Sequence, residues 1–205
     1  MVARHLSREE ELVAFFVGRC DGRLGKTKLM KLIYLADYEA RRYLGRPLSN
    51  AKYVWYFYGP WDPQLETWIA KLTEANVIVE EAVVYPTGAK GYLYSRGAVD
   101  VPGTFTAAEN ELLSYVCKRY SERPLRELLD EIVYETEPMR EAREAKAKNA
   151  PLKMDSVNGA KAKELVIPFE ELLERSRELH AGQGLSHAEA MAEVEKQLAP
   201  DVVTA

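Results

Sequence analysis

Along the first two thirds of the chain, apolar residues recur mostly three and four positions apart, the period of helices that bury one side. Ser7-Arg8-Glu9-Glu10 has the form of a capping box, in which a Ser oxygen and a Glu three residues on satisfy free backbone donors. Leu12, Val13, Phe15, Phe16 and Val17 then supply the apolar side of a first helix, which Gly22 and Gly25 break. A second helix is expected from about Thr27, with Thr27 as its cap and Leu29, Leu32, Ile33 and Ala36 as its apolar stripe. Gly45-Arg46-Pro47 stops it. Lys52 to Tyr58 is rich in Tyr, Trp and Val and reads as extended; Gly59-Pro60 turns the chain. Asp62 as N-cap and Pro63 at the first helical position open a third helix, carrying Leu65, Trp68, Ile69 and Leu72.

Val77 to Tyr85 and Tyr92 to Ser95 read as strands of a hairpin around the turn-rich 86–91. Two strands alone are marginal, so the hairpin must lean on the helices. Thr106-Ala107-Ala108-Glu109 is a second capping box before Leu112, Leu113, Val116 and Tyr120, and Pro124 opens a helix through Val133. After Pro138 the pattern changes. Met139 to Lys148 is rich in Ala, Glu, Lys and Arg with almost no apolar face, as in a helix that bridges solvent or awaits a partner. A linker is expected near 149–159, with last helices starting at Pro168 and Ser186. The fold class expected is mainly α (α+β): a helical domain with one small antiparallel β-hairpin, which admits a winged-helix-like layout, plus a C-terminal helical extension. The domain spans 1–138 and the extension 139–205.

Hydrophobic residues make up 47% and charged residues 29% of the 205, a globular balance rather than a disordered one. With no apolar run near 20 residues, no apolar core in Met1 to Leu6 and only Cys20 and Cys117, a cytoplasmic location with unpaired, packed cysteines is expected. A net charge of −4 argues against a dedicated nucleic-acid binder. Between Arg19 and Lys52, however, nine Lys or Arg stand against three acids. This local bias fits either an acid-seeking face or a helix surface that balances acids elsewhere in the fold.

Candidate chemistry is sparse. Gly25-Lys26-Thr27 has the end of a phosphate loop, but position 20 is Cys where that loop needs Gly, and a helix stands where it needs a strand. The histidines, His5, His180 and His187, lie near the chain ends, so no catalytic couple, metal set or cofactor is expected and the chain is not read as an enzyme. Two features stand out. Asp37 lies amid Leu35, Ala36 and Tyr38, where a bare carboxylate is costly unless bonded. An aromatic cluster follows: Tyr53, Trp55, Tyr56, Phe57, Tyr58 and Trp61, residue types that anchor interfaces.

Lys28-Leu29-Met30-Lys31-Leu32-Ile33-Tyr34-Leu35-Ala36-Asp37-Tyr38, then Gly45-Arg46-Pro47, Tyr53 and Tyr58-Gly59-Pro60, resembles the Panacea domain of SocA-like antitoxins. The resemblance covers the chain to about Pro138. It departs from the family pattern at Ile132 to Met139, which holds neither the His nor the Trp found there in many members. It implies a protein that silences a cognate toxin, by direct binding or by handing it to a ClpXP-type protease. A DNA-binding autoregulator is the less favoured alternative, and a homo-oligomer stays open. The candidate partner-binding residues are Lys31, Tyr34, Asp37, Tyr56, Tyr58, Gly59, Pro60 and Trp61. A domain that meets unrelated toxins should keep its scaffold and vary its contacts, so the buried motif residues are expected to be mostly structural.

Overall fold

The computed structural model describes residues 6–20, 23–85, 88–101 and 103–158. Its architecture is mainly α with two small antiparallel sheets. Helix α1 (Arg8–Arg19) opens with the expected box: Glu10 N donates to Ser7 Oγ at 3.2 Å and Ser7 N to Glu10 Oε2 at 3.0 Å. After strand β1 (Leu24–Gly25) comes α2 (Lys26–Tyr43), in which every residue from Leu29 to Ala40 is buried. A helix buried all round is the centre of a fold rather than its surface, and α1 and α4 (Ala107–Tyr120) pack around it. Thr27 does not cap α2. The cap position is Gly25, and the lysines of this first turn, unfavourable to the helix dipole, are held by Glu66 and by the Ser121 carbonyl.

Strands β2 (Val54–Tyr56) and β3 (Gly59–Trp61) pair antiparallel, with Tyr56 opposite Gly59. Extended character was expected here, a second hairpin was not. Its tight turn rests on Gly59 at φ +84°, a conformation open to Gly at no steric cost. Helix α3 (Leu65–Glu74) has its cap position at Gln64, two residues later than the expected Asp62. Asp62 instead organises the turn before it, accepting from Gln64 N at 2.8 Å and Lys52 N at 2.6 Å. Strands β4 (Ile78–Val84) and β5 (Lys90–Arg96) form the expected hairpin, and β1 adds to β5, giving the order β1-β5-β4. Helix, short strand, two helices and a hairpin that takes back the short strand is winged-helix connectivity, with the β2–β3 hairpin inserted between the second and third helices.

Further expectations are corrected beyond this core. Cys20 and Cys117 are bonded to each other, with Cα atoms 5.7 Å apart, because the end of α1 packs on α4. Separated by 97 positions, they offer no local sign of the pairing, and bonded cysteines no longer argue for a reducing compartment. The helix expected after Pro124 is broken into α5 (Leu125–Glu127), a π turn (Leu128–Ile132) and a 3₁₀ turn (Val133–Glu135). Finally, the stretch after Pro138 is anchored to the fold by a narrow apolar side, while Arg140, Glu141 and Arg143 to Lys146 stay exposed. Helix α6 (Glu137–Glu144) buries Pro138, Met139 and Ala142.

The chain then returns along β2, where Asn149 N donates to Trp55 O at 2.7 Å and Leu152 N to Tyr53 O at 2.8 Å. Leu152, Met154 and Val157 are buried in turn, so the stretch expected as a linker is paired and packed through Val157. The helices expected from Pro168 and Ser186, together with His5, His180 and His187, lie outside the described residues. Among the described residues no helix is long and apolar enough to cross a membrane.

Candidate functional site

Lys31, Tyr34 and Asp37 stand three residues apart on α2 and so share one side of the helix, which carries the loop and hairpin of residues 48–62. Asp37 is fully enclosed. Its carboxylate accepts from Leu48 N at 2.8 Å, Ser49 N at 2.9 Å, the Tyr53 hydroxyl at 2.7 Å and the Ser49 hydroxyl. Burial pushes its pKa up, against the pull of these four donors, and burial, aided by the adjoining carboxylate, raises Tyr53. Lys31, 1% exposed, donates to Pro60 O at 2.6 Å, and desolvation pushes its pKa down to about 7. Tyr34 is within 2.6 Å of Thr136 Oγ1; that hydroxyl donates to Val133 O at 2.7 Å, so it accepts from Tyr34. Tyr38 donates to Glu137 at 2.6 Å. The motif thus ties the central helix to the β2–β3 hairpin and to the turn that supports it.

The hairpin presents its tip outward. Tyr56 is 45% exposed; Phe57 and Tyr58, each 64% exposed, are the two most open aromatic rings among the described residues. Gly59 and Pro60 are buried beneath, and Trp61 is half-buried with Lys26 Nζ 5.9 Å from its ring centre. A Cβ on Gly59 would stand 3.5 Å from Tyr134 and Val133 and 3.6 Å from Leu129, so the π and 3₁₀ turns form the hairpin's bed. π turns of this kind recur at functional sites. Two cations rim the aromatic surface: Lys148 Nζ lies 5.1 Å from the Phe57 ring centre and the Arg143 guanidinium 5.1 Å from that of Tyr134.

Of the eight candidate residues, then, Lys31, Tyr34, Asp37, Gly59 and Pro60 are enclosed, Trp61 is partly open, and Tyr56 and Tyr58 face solvent. Phe57 lies within the aromatic segment Tyr56 to Trp61 that the sequence marks as the interface. Sequence reasoning had no access to Tyr134, Arg143 or Lys148, which arrive beside the hairpin only through the turn at 128–135 and the return of the chain after α6. The basic bias of 19–52 is largely balanced within the fold: Lys26 meets Glu66, Arg23 Glu81, Arg41 Asp155, Arg42 Glu39 and Arg46 Glu109. No group of three or more His, Cys, Asp or Glu among the described residues is placed to hold a metal ion.

Neither the curated proteins nor the solved structures contain a match to this chain. One family does match: that described as antitoxin SocA-like, Panacea domain, over residues 29–138, which takes in α2 from Leu29 on, both hairpins and the chain through the π turn to Pro138. As this covers just over half of the 205 residues, the chain belongs to the SocA-like, Panacea-domain antitoxin family.

Proposed function

We propose that this chain is a non-enzymatic antitoxin that neutralises a cognate toxin protein by direct binding, with the aromatic tip Tyr56–Tyr58 as the centre of its contact surface. The family implies a toxin partner in general. The reading is carried by the contrast between three exposed aromatic rings at the hairpin tip and the fully enclosed polar motif that fixes the hairpin from below. Rigid aromatic anchors rimmed by Arg and Lys have the composition of an interface hot spot, and a pre-formed hairpin loses little freedom on binding. In this reading Tyr56, Tyr58 and Trp61 touch the partner, joined by Phe57, while Lys31, Tyr34, Asp37, Gly59 and Pro60 act through the hairpin they hold. Residues 1–138 form the neutralising domain. The extension from 139 adjusts it to one partner, since it supplies Lys148 beside Phe57.

The autoregulator alternative is less favoured. The exposed side of α3, the helix that winged-helix connectivity would offer to DNA, carries Glu66, Thr67, Ala70, Lys71 and Glu74, and Lys71 already meets Glu10 at 3.1 Å. Co-expression of the tagged full chain with the product of the adjacent reading frame tests the proposal. Growth rescue with a stoichiometric, salt-resistant complex supports it. Folded protein with no complex, or toxin that disappears only while a ClpXP-type protease is present, overturns direct neutralisation.

A further inference from the structure

A second surface lies between α3 and the β4–β5 hairpin. Here Glu66, Thr73 and Glu74 of α3 face Glu80 of β4 and Tyr92 and Tyr94 of β5 across a cavity of about 340 Å³. Strand register explains the grouping. Glu80 pairs with Tyr94 and Ala82 with Tyr92, so both rings and the carboxylate project from one face of the sheet. Lys26 at the cavity's edge is taken by Glu66 at 2.8 Å, and among the described residues no cation pairs with Glu74 or Glu80. The Thr73 hydroxyl, behind the α3 wall of this cavity, is buried without a hydrogen-bond partner. Beside it runs the outer edge of β4. The strand is last in its sheet, from Ile78 to Val84 it makes no backbone bond on that side among the described residues, and Val79 and Val84 are exposed.

We infer that this groove binds an extended, basic segment of a partner protein, which adds to the free edge of β4 and lays alternate Arg or Lys side chains between the α3 carboxylates and the exposed Tyr92 ring, above the buried Tyr94. Strand addition supplies affinity through the main chain, and alternate side chains select the sequence. A guanidinium entering the groove meets Glu74, Glu80 and the Tyr92 face for cation–π contact. A second copy of this chain fits poorly. Antiparallel pairing of β4 with itself about its middle sets Glu80 and Glu81 opposite or beside the same acids. This surface is independent of the aromatic tip, and either is able to fail alone.

The test uses the full isotope-labelled chain and two capped peptides, Thr-Arg repeated three times and its Thr-Glu counterpart. The expected result is saturable binding of the Arg peptide, with amide shifts confined to Thr73–Ala75 and Val79–Val83. Affinity should fall at least tenfold in Glu80→Lys and in Glu74→Lys, both exposed positions where the fold is retained. No saturation at millimolar peptide, equal binding of the Glu peptide, unchanged affinity in both charge reversals, or shifts at Tyr56–Tyr58 instead would overturn the inference. So would a dimer seen by sedimentation that buries the β4 amides, which would assign the edge to a second copy.

Discussion

The two ends of the β2–β3 region obey opposite physical rules. At its base, Asp37 and Lys31 are charged or polar groups taken out of water, each kept only because donors and acceptors meet it at hydrogen-bond distance. At its tip, Tyr56, Phe57 and Tyr58 are aromatic rings left exposed among the described residues. Changes at the base should cost stability and spare recognition except through unfolding; changes at the tip should do the reverse. The motif residues Lys31, Tyr34, Asp37, Tyr53, Gly59 and Pro60 lie at the base, and Tyr58 is the motif residue that reaches the tip.

The largest effect that would break this contrast lies at Asp37. Asp37→Ala strands a tyrosine hydroxyl, a serine hydroxyl and two backbone N–H groups, and should destabilise by about 3–5 kcal/mol in urea unfolding. A loss under 1 kcal/mol would mean that the base is not the scaffold.

Next comes the pH dependence of Lys31. Its folded pKa, near 7, lies below its unfolded value of about 10.4, so between these limits the unfolded chain binds the extra proton and stability rises with pH. The slope from this group should approach ~1.4 kcal/mol per pH unit above pH 8 and vanish in Lys31→Met. Near pH 10 the trend should reverse, as tyrosines such as Tyr34 and Tyr53, held neutral by burial, ionise first in the unfolded state. A profile identical in wild type and Lys31→Met would refute the buried-lysine account.

At the tip, Phe57→Ala should weaken toxin binding by about 2 kcal/mol or more in calorimetry while shifting stability by no more than about 0.5 kcal/mol. The smallest effect is expected for Tyr34→Phe. It removes one hydrogen bond while Thr136 keeps its bond to Val133 O, for a loss of about 1 kcal/mol.

Much of this was legible in the sequence, for local reasons. Both capping boxes, the α2 stripe and the β4–β5 hairpin follow from residue spacing, and Asp37 announced itself as a carboxylate among apolar neighbours that had to be bonded. The rest depended on groups far apart in the chain. The disulfide needs the end of α1 against α4, and the π turn follows no periodicity because it is shaped around the Gly59 backbone. The packing of 149–157 was hidden because its backbone, rather than an apolar stripe, makes the bonds to β2. Within the site, the aromatic cluster was visible, but which of its rings face outward was fixed by a tight hairpin that read as a plain strand.

The most direct test of the contrast between base and tip is a paired measurement on the double variant Phe57→Ala/Tyr58→Ala, by thermal melt and by pull-down against the product of the adjacent reading frame. The account predicts a melting curve like that of the wild type and a lost complex. A variant that melts normally and still holds the toxin would contradict it.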